Sequence, residues 1–294
     1  MDDLAETFEQ LRPQLLRLAY GTLGSLSEAE EVVQDAWLRL QRTGAGEIDD
    51  LRAWLSTVVG RLSLDALKTA RRQREDYVGQ WLPEPLVEDL AGEEPADRVT
   101  LDESVATAML VVLERLSPAE RTAFLLHDVF AMPFDQVADV VGRSPAAVRQ
   151  LAARARRHVE QGRPRFPASA EEHERIVAAF AEACGMGDLE QLLELLDPEV
   201  VFRSDGGGRV PSARFPLEGA ERVARALLAL ERRRERAGLE LRRSPGTVNG
   251  QLGFVYYEGE NLNVLSFTID AGRIVALDVV RNPEKLRHVP LPVG

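Results

Sequence analysis

The apolar residues of this 294-residue chain change their period once, and that change limits the fold more than any other feature. Early in the chain they recur at helical spacing. Phe8, Leu11, Leu15, Leu18 and Ala19 mark one helix, and Val32, Val33, Ala36, Trp37 and Leu40 mark a second. Between them, at residues 21–27, Ser27 and Glu30 have the spacing of a capping box. A third helix, from about residue 50 to 74, carries the stripe Leu51, Trp54, Leu55, Val58, Leu62, Ala66 and Ala70. Helical periodicity resumes from 102 to about 158 in four segments, bounded at 116–118, 131–134 and 142–145. The last third begins with helical patterns at 176–184 and 189–196, a short apolar run at 200–202 and a helix around 220–236. Strand-like runs follow at 239–243, 253–257, 262–269 and 274–280, the last two separated by a hairpin signal at Asp270 to Arg273. Helices first and antiparallel strands afterwards predict a multi-domain chain, all-α and then α+β.

The length, about twice that of a typical domain, agrees with this division. Periodicity fails over residues 77–101, where Glu84, Glu88, Asp89, Glu93, Glu94 and Asp97 crowd together and Trp81 and Leu82 are the bulky anchor. That segment reads as an acidic linker. Gly162, Pro164 and Pro167 mark the next boundary. The expected domains are therefore 1–76, 102–163 and 164–294, with the linker at 77–101.

At 45% hydrophobic and 29% charged, the composition is that of a folded protein. Apolar runs such as 108–113 are far short of the roughly 20 residues of a bilayer span. The acidic start (Asp2, Asp3) is unlike a signal peptide. A lone cysteine, Cys184, permits no internal disulfide and reads as a packed apolar residue. The histidines (His127, His158, His173, His288) show no metal-ligand spacing. The expectation is a cytosolic protein with no membrane segment, no structural metal and no cofactor.

A net charge of −12 at first argues against a nucleic-acid partner. The charge is segregated, however. Residues 1–51 carry four basic side chains against eleven acidic ones, whereas 143–165 carry seven arginines against Glu160 alone. A second basic cluster, Arg61, Lys68, Arg71, Arg72 and Arg74, surrounds only Asp65. Two basic islands on an acidic chain suggest two polyanion contacts.

The segment FDQVADVVGRSPAAVRQL, residues 134–151, is the sharpest local signal. A helix-turn-helix needs a small residue at the helix crossing, a glycine at the turn and an apolar residue seating the second helix. Ala138, Gly142 and Val148 supply these in order, with Ser144 as cap and Pro145 at the first helical position. Val148, Leu151, Ala152 and Ala155 then face inward, leaving Ala146, Arg149, Gln150, Ala153 and Arg157 outside. Arg149 and Gln150 lie where a recognition helix reaches base edges. Arg143, Arg154, Arg156 and Arg157 suit phosphates. The basic end of the third helix is less specific, since such an end also complements the helix dipole.

Together with LGSLSEAEEVVQDAWLRL and LRAWLSTVVGRLSLDALKTARRQRE, these features make residues 4 to about 160 resemble the extracytoplasmic-function sigma factors of bacterial RNA polymerase. The resemblance implies two all-α sigma domains and two partners, core RNA polymerase and promoter DNA. It places Glu30, Glu31, Gln34, Asp35, Trp37 and Leu38 on the clamp helices of the polymerase largest subunit. The downstream promoter element falls to Arg61, Asp65, Lys68, Arg71 and Arg72. The upstream element falls to Arg143, Ser144, Ala146, Arg149, Gln150, Arg154 and Arg157. The loop at 43–50 would lie beside the displaced strand. Trp37 and Trp54, the nearby aromatics, sit on apolar stripes and read as core rather than as stacking platforms. The acidic run of the linker reads equally as a solvated tether or as a nucleic-acid mimic.

Three short motifs narrow the resemblance: YVGQWLPEP at 77–85, DGGGR at 205–209 and NPEKL at 282–286. They look like those of the branch with a fused C-terminal SnoaL-like domain, a cone-shaped α+β fold with a curved antiparallel sheet around a pocket. Arg209 stands where that branch suggests lysine. The resemblance implies regulation in cis through a latch of Trp81, Leu82, Pro83, Glu84 and Pro85 against Asp205, Gly206, Gly207, Gly208 and Arg209, with Asn282, Pro283 and Lys285. From the residues alone, DGGGR also reads as a flexible loop. Asp205 and Asp278 are candidate pocket carboxylates, but no acid–base pair at instructive spacing is visible, so both read better as structural or surface carboxylates and no catalytic residue is assigned. ERRRER, residues 231–236, reads as a solvated helix face. Two other functions stay open: a small-molecule enzyme built on the C-terminal pocket, and a ligand-responsive DNA-binding regulator that acts without polymerase.

Overall fold

A left-handed glycine sets the first boundary. Helix α1 (Asp2–Leu23) stops where Gly24 takes φ 70° and donates its N–H to Tyr20 O at 2.7 Å. Ser25 is then the residue able to cap α2 (Leu26–Thr43), its Oγ accepting the Glu28 N–H at 3.3 Å. The cap is thus Ser25, not the Ser27 and Glu30 pair expected from spacing, because the glycine starts the helix two residues earlier.

The computed structural model describes residues 2–43, 48–88, 107–162, 164–239 and 241–289. The chain divides into two compact units, Met1–Asp76 with Glu93–Arg163, and Tyr77–Gly92 with Pro164–Gly294.

In the first unit, α1 and α2 pack with α3 (Leu51–Glu75) around Leu15, Leu18, Val33, Leu40, Leu55 and Val59. Leu64 and Leu67 of α3 are buried as well, while Leu62 and Ala66 of the expected stripe are only half-buried. The reason is a second neighbour. The helices α4 (Thr107–Leu113), α5 (Pro118–Phe124, continued as a π-helical turn to Val129), α6 (Phe134–Val141) and α7 (Pro145–Gly162) belong to the same unit, and α5 and α6 lie against α3. Gly60 of α3 allows the approach, since a Cβ there would stand 3.3 Å from both Leu126 and Val140.

A carboxylate on the α4–α5 turn completes this packing. Glu114 receives Arg74 Nη1 at 2.6 Å and also Arg121 Nη1, and Arg121 is only 2% exposed. The same guanidiniums serve the end of α1. Arg121 donates from Nε and Nη2 to Gly21 O at 3.2 and 3.1 Å, and Arg74 Nη2 donates to Leu23 O at 2.8 Å. Carbonyls that a helix end leaves unpaired thereby gain cationic partners.

In the second unit, α8 (Ala170–Met186), α9 (Leu189–Leu195) and α10 (Ala220–Arg236) cover one face of a seven-stranded sheet in the order β1-β4-β5-β6-β7-β2-β3. Its strands are β1 (Val87–Glu88), β2 (Leu196–Asp205), β3 (Leu217–Glu218), β4 (Leu241–Val248), β5 (Gln251–Glu258), β6 (Asn261–Asp270) and β7 (Arg273–Val280). The pairing is antiparallel except between β2 and β7, which makes the sheet mixed. Two residues with positive φ close two of the tight hairpins, Asn249 and Gly250 between β4 and β5, and Ala271 and Gly272 between β6 and β7. Register shifts in β2 and β6 accompany the curvature. Residues 77–88, expected as linker, are part of this unit, and β1 forms its sheet edge. Asp89, Glu93, Glu94 and Asp97 of the acidic run lie outside the described residues, as do residues 44–47 of the loop expected at 43–50.

Candidate functional site

The helix-turn-helix has the geometry its residues require. Gly142 turns at φ 70° and ψ 39°, and its N–H and that of Arg143 both reach Ala138 O, at 2.9 and 3.1 Å. Ser144 Oγ accepts the Ala147 N–H at 3.3 Å and starts α7. Val148, Leu151, Ala152 and Ala155 are buried, whereas Arg143, Ser144, Ala146, Arg149, Gln150, Arg154 and Arg157 are exposed. Arg149 is steadied over the Phe134 ring, 5.3 Å from its centroid. Arg154 pairs with Glu120 at 3.1 Å, and Arg156, expected to face phosphate, is held by Asp128 at 2.5 Å.

The basic end of α3 is less free. Arg61 and the Lys68–Asp65 pair are exposed, but Arg71 donates to Leu116 O at 3.1 Å and Arg74 is held by Glu114. The side chain of Arg72 lies outside the described residues. On α2, Glu30, Glu31, Gln34, Asp35 and Leu38 form an exposed face, and Trp37 is half-buried with its ring 4.8 Å from that of Phe8.

In the second unit, the three motifs meet at one carboxylate. Asp205 is fully buried at the end of β2. It accepts the Tyr77 hydroxyl at 2.6 Å, the Leu82 N–H at 2.9 Å, the Lys285 ammonium at 2.8 Å and the Gly207 N–H at 3.0 Å. Asn282 donates to the Tyr77 oxygen at 2.9 Å and, with Pro283 next to it, caps a short 3-10 turn through Glu284 N–H. Lys285 also donates to Leu82 O and stands 3.9 Å above the Trp81 ring. Burial first, and then the bond to Asp205, raise the Tyr77 phenol above its ordinary range, so the hydroxyl stays a donor. Pro83, Glu84 and Pro85 are buried beside it, and His288 hydrogen-bonds Pro85 O at 2.8 Å.

The glycines of DGGGR are required by contact. A Cβ on Gly206 would fall 2.1 Å from Val210 O, and one on Gly207 would fall 2.3 Å from Asn282 Nδ2. Among the described residues Arg209 pairs with Glu284 at 2.9 Å, an exposed contact that contributes little to this unit.

Residues 7–73 match the Sigma-70 region 2 family and residues 106–159 match Sigma-70, region 4. The ECF RNA polymerase sigma factor SigJ of Mycobacterium tuberculosis is 40% identical over 97% of this chain and 93% of its own length. The chain belongs to the ECF RNA polymerase sigma factors. The probable ECF sigma factor SigI of the same species is 37% identical, covering all of this chain and 98% of that protein. The crystal structure of the SigJ protein superposes with a TM-score of 0.81 at 38% identity, covering 98% of this chain and 99% of that one. This sigma factor therefore has two helical sigma segments followed by an α+β domain with a curved mixed sheet.

Of the two readings of Asp205 and Asp278, the geometry favours the structural one. Neither Asp205 nor Asp278 faces the pocket of the C-terminal domain. Asp278 is paired with Arg203 across β7 and β2 at 2.5 Å, and strand alternation puts both residues, with Asp205, on the face opposite Phe202 and Ser204. The carboxylates lining the cavity are Glu231 and Glu258, each in an ion pair with an arginine. Sequence reasoning missed Tyr77 as a ligand of Asp205. The YVGQWLPEP motif contained it, but nothing local in the sequence marked its partner. Among the described residues no group could hold a metal ion, and no helix is long and apolar enough to cross a membrane.

Proposed function

We propose that this chain binds core RNA polymerase in the cytoplasm through the exposed face of α2. It then directs initiation by placing α3 and α7 on two promoter elements, with its C-terminal domain setting the activity in cis. The helix-turn-helix supports the DNA role, because it leaves Arg149 and Gln150 exposed at the start of a well-seated helix. The observation that carries the regulatory reading is the Asp205 hub. Residues 77–88, which join the two sigma segments in sequence, are bound to the C-terminal domain through a fully buried carboxylate. Holding that segment limits where the sigma segments can go, and releasing it frees them. The cavity on the other face of β2 is open to a small molecule, which would bias that release.

The test is transcription by purified core polymerase supplemented with the full chain on genomic promoter DNA. Initiation is expected with the native chain. Arg149→Glu is expected to reduce promoter-specific transcripts by tenfold or more, on the order of a lost base contact, while polymerase binding in gel filtration is unchanged. Loss of polymerase binding in that variant would mean that α7 has the wrong role. A native chain that neither binds polymerase nor starts transcription would refute the assignment.

A further inference from the structure

The C-terminal domain encloses a cavity of about 850 Å³ walled by Phe180, Phe202, Phe254, Leu265 and Leu277. Phe215, Leu230 and Leu239 line it too and remain 75%, 45% and 39% exposed. That volume suits a small molecule, and large apolar side chains gathered at one opening mark a binding surface rather than scattered exposure.

The polar groups in the wall are unequal. Glu231 is tied to Arg234, and Glu258 to Arg281 at 2.5 Å. Arg281 is further occupied by Asn263 Oδ1 at 2.8 Å and Pro211 O at 3.0 Å. Arg243 and Tyr256 differ. They are direct cross-strand partners in the β4–β5 register, and both line the cavity. The Arg243 guanidinium lies over the Phe254 ring, 4.6 Å from its centroid, and among the described residues it has no hydrogen bond or ion pair. The Tyr256 hydroxyl likewise has no hydrogen-bond partner there. Burial pushes this phenol up to about 12, which keeps it a neutral donor. An apolar wall with an uncommitted guanidinium beside an uncommitted hydroxyl offers two adjacent donors. A planar anion with two acceptor oxygens is what such a fork recognises.

We propose that the cavity binds an apolar carboxylic acid, its aliphatic or aromatic body against the phenylalanine wall and its carboxylate held by Arg243 and Tyr256. The proposal rests on the reading of the cavity as a small-molecule site and names the class of occupant. It is tested by fluorescence titration of the full chain with dansylated undecanoic acid and with the methyl ester of that probe. The acid is expected to saturate one site per chain and to bind about tenfold more tightly than the ester. Arg243→Met, which keeps the aliphatic stem at an exposed strand position, is expected to make the two affinities equal. Tyr256→Phe should weaken the acid about fivefold, as for one lost hydrogen bond. Equal binding of acid and ester by the native chain would overturn the carboxylate assignment and leave the cavity a site for neutral molecules. Binding of neither would overturn both.

Discussion

Each unit of this sigma factor is organised by one carboxylate, and the two are built differently. Glu114 in the helical unit gathers two guanidiniums, those of Arg74 and Arg121. Its side chain is 22% exposed, and its partners also donate to the carbonyls ending α1. Asp205 is fully buried and draws on a phenol, two backbone amides and one ammonium. Half of those donors, Tyr77 and Leu82, come from the segment 77–88, and the other half, Gly207 and Lys285, from the C-terminal domain itself. The difference bears on reversibility. Removing Glu114 takes a carboxylate from two cations, and one of them, Arg121, is almost wholly buried. Withdrawing the 77–88 segment leaves Asp205 with a cation and an amide, so its charge stays compensated. The first arrangement is structural, and the second can release its ligand.

The largest effect is therefore expected at Glu114. Glu114→Ala should lower the stability of the full chain by about 3–5 kcal/mol in denaturant unfolding, the loss typical of breaking a buried ion pair. A near-neutral result would mean that the two arginines keep their places without Glu114. Lys285→Met should cost less, roughly 1.5–3 kcal/mol, because Asp205 keeps three donors. Hydrogen exchange at the Leu82 amide should rise in that variant with no change in α1–α3, and an equal rise in both units would remove the distinction between the hubs. Tyr77→Phe is expected to cost about 1 kcal/mol and to speed the same amide.

The pH dependence follows from the raised Tyr77 phenol. Its contribution is complete below the ordinary tyrosine value of about 10 and is lost as pH rises toward the folded-state value. Protection of residues 77–88 should therefore fall on the alkaline side in the native chain. The difference from Tyr77→Phe isolates that contribution, and identical alkaline profiles would show that the phenol does not hold the segment.

Much of this was legible in order along the chain. The period of Phe8, Leu15 and Leu18, the turn glycine at Gly142 and the outward set around Arg149 are all as the residues predict, because each depends on neighbours within one or two turns. The misreadings have physical causes of another kind. Ser27 has capping-box spacing, yet Gly24 starts the helix earlier and Ser25 takes the role. Leu64 and Leu67 fall off a single stripe because α3 is packed on two sides. The turn pair Asn249 and Gly250 is a strong local hairpin signal, and it joins β4 to β5.

Alternation along β2 requires that Ser204 and Asp205 face opposite ways, but it does not say which of them faces the cavity. The path of the chain decided that. It brought Tyr77, 128 positions away, and Lys285, 80 positions away, to the Asp205 side. The sequence by itself determined the helical segments, the helix-turn-helix and the segregation of charge, all of which follow from local spacing and side-chain chemistry. Which carboxylates are buried, which arginines remain free and what the segment 77–88 rests on were decided by tertiary structure, because an ion pair or a cavity wall is made of residues that only the folded backbone brings together.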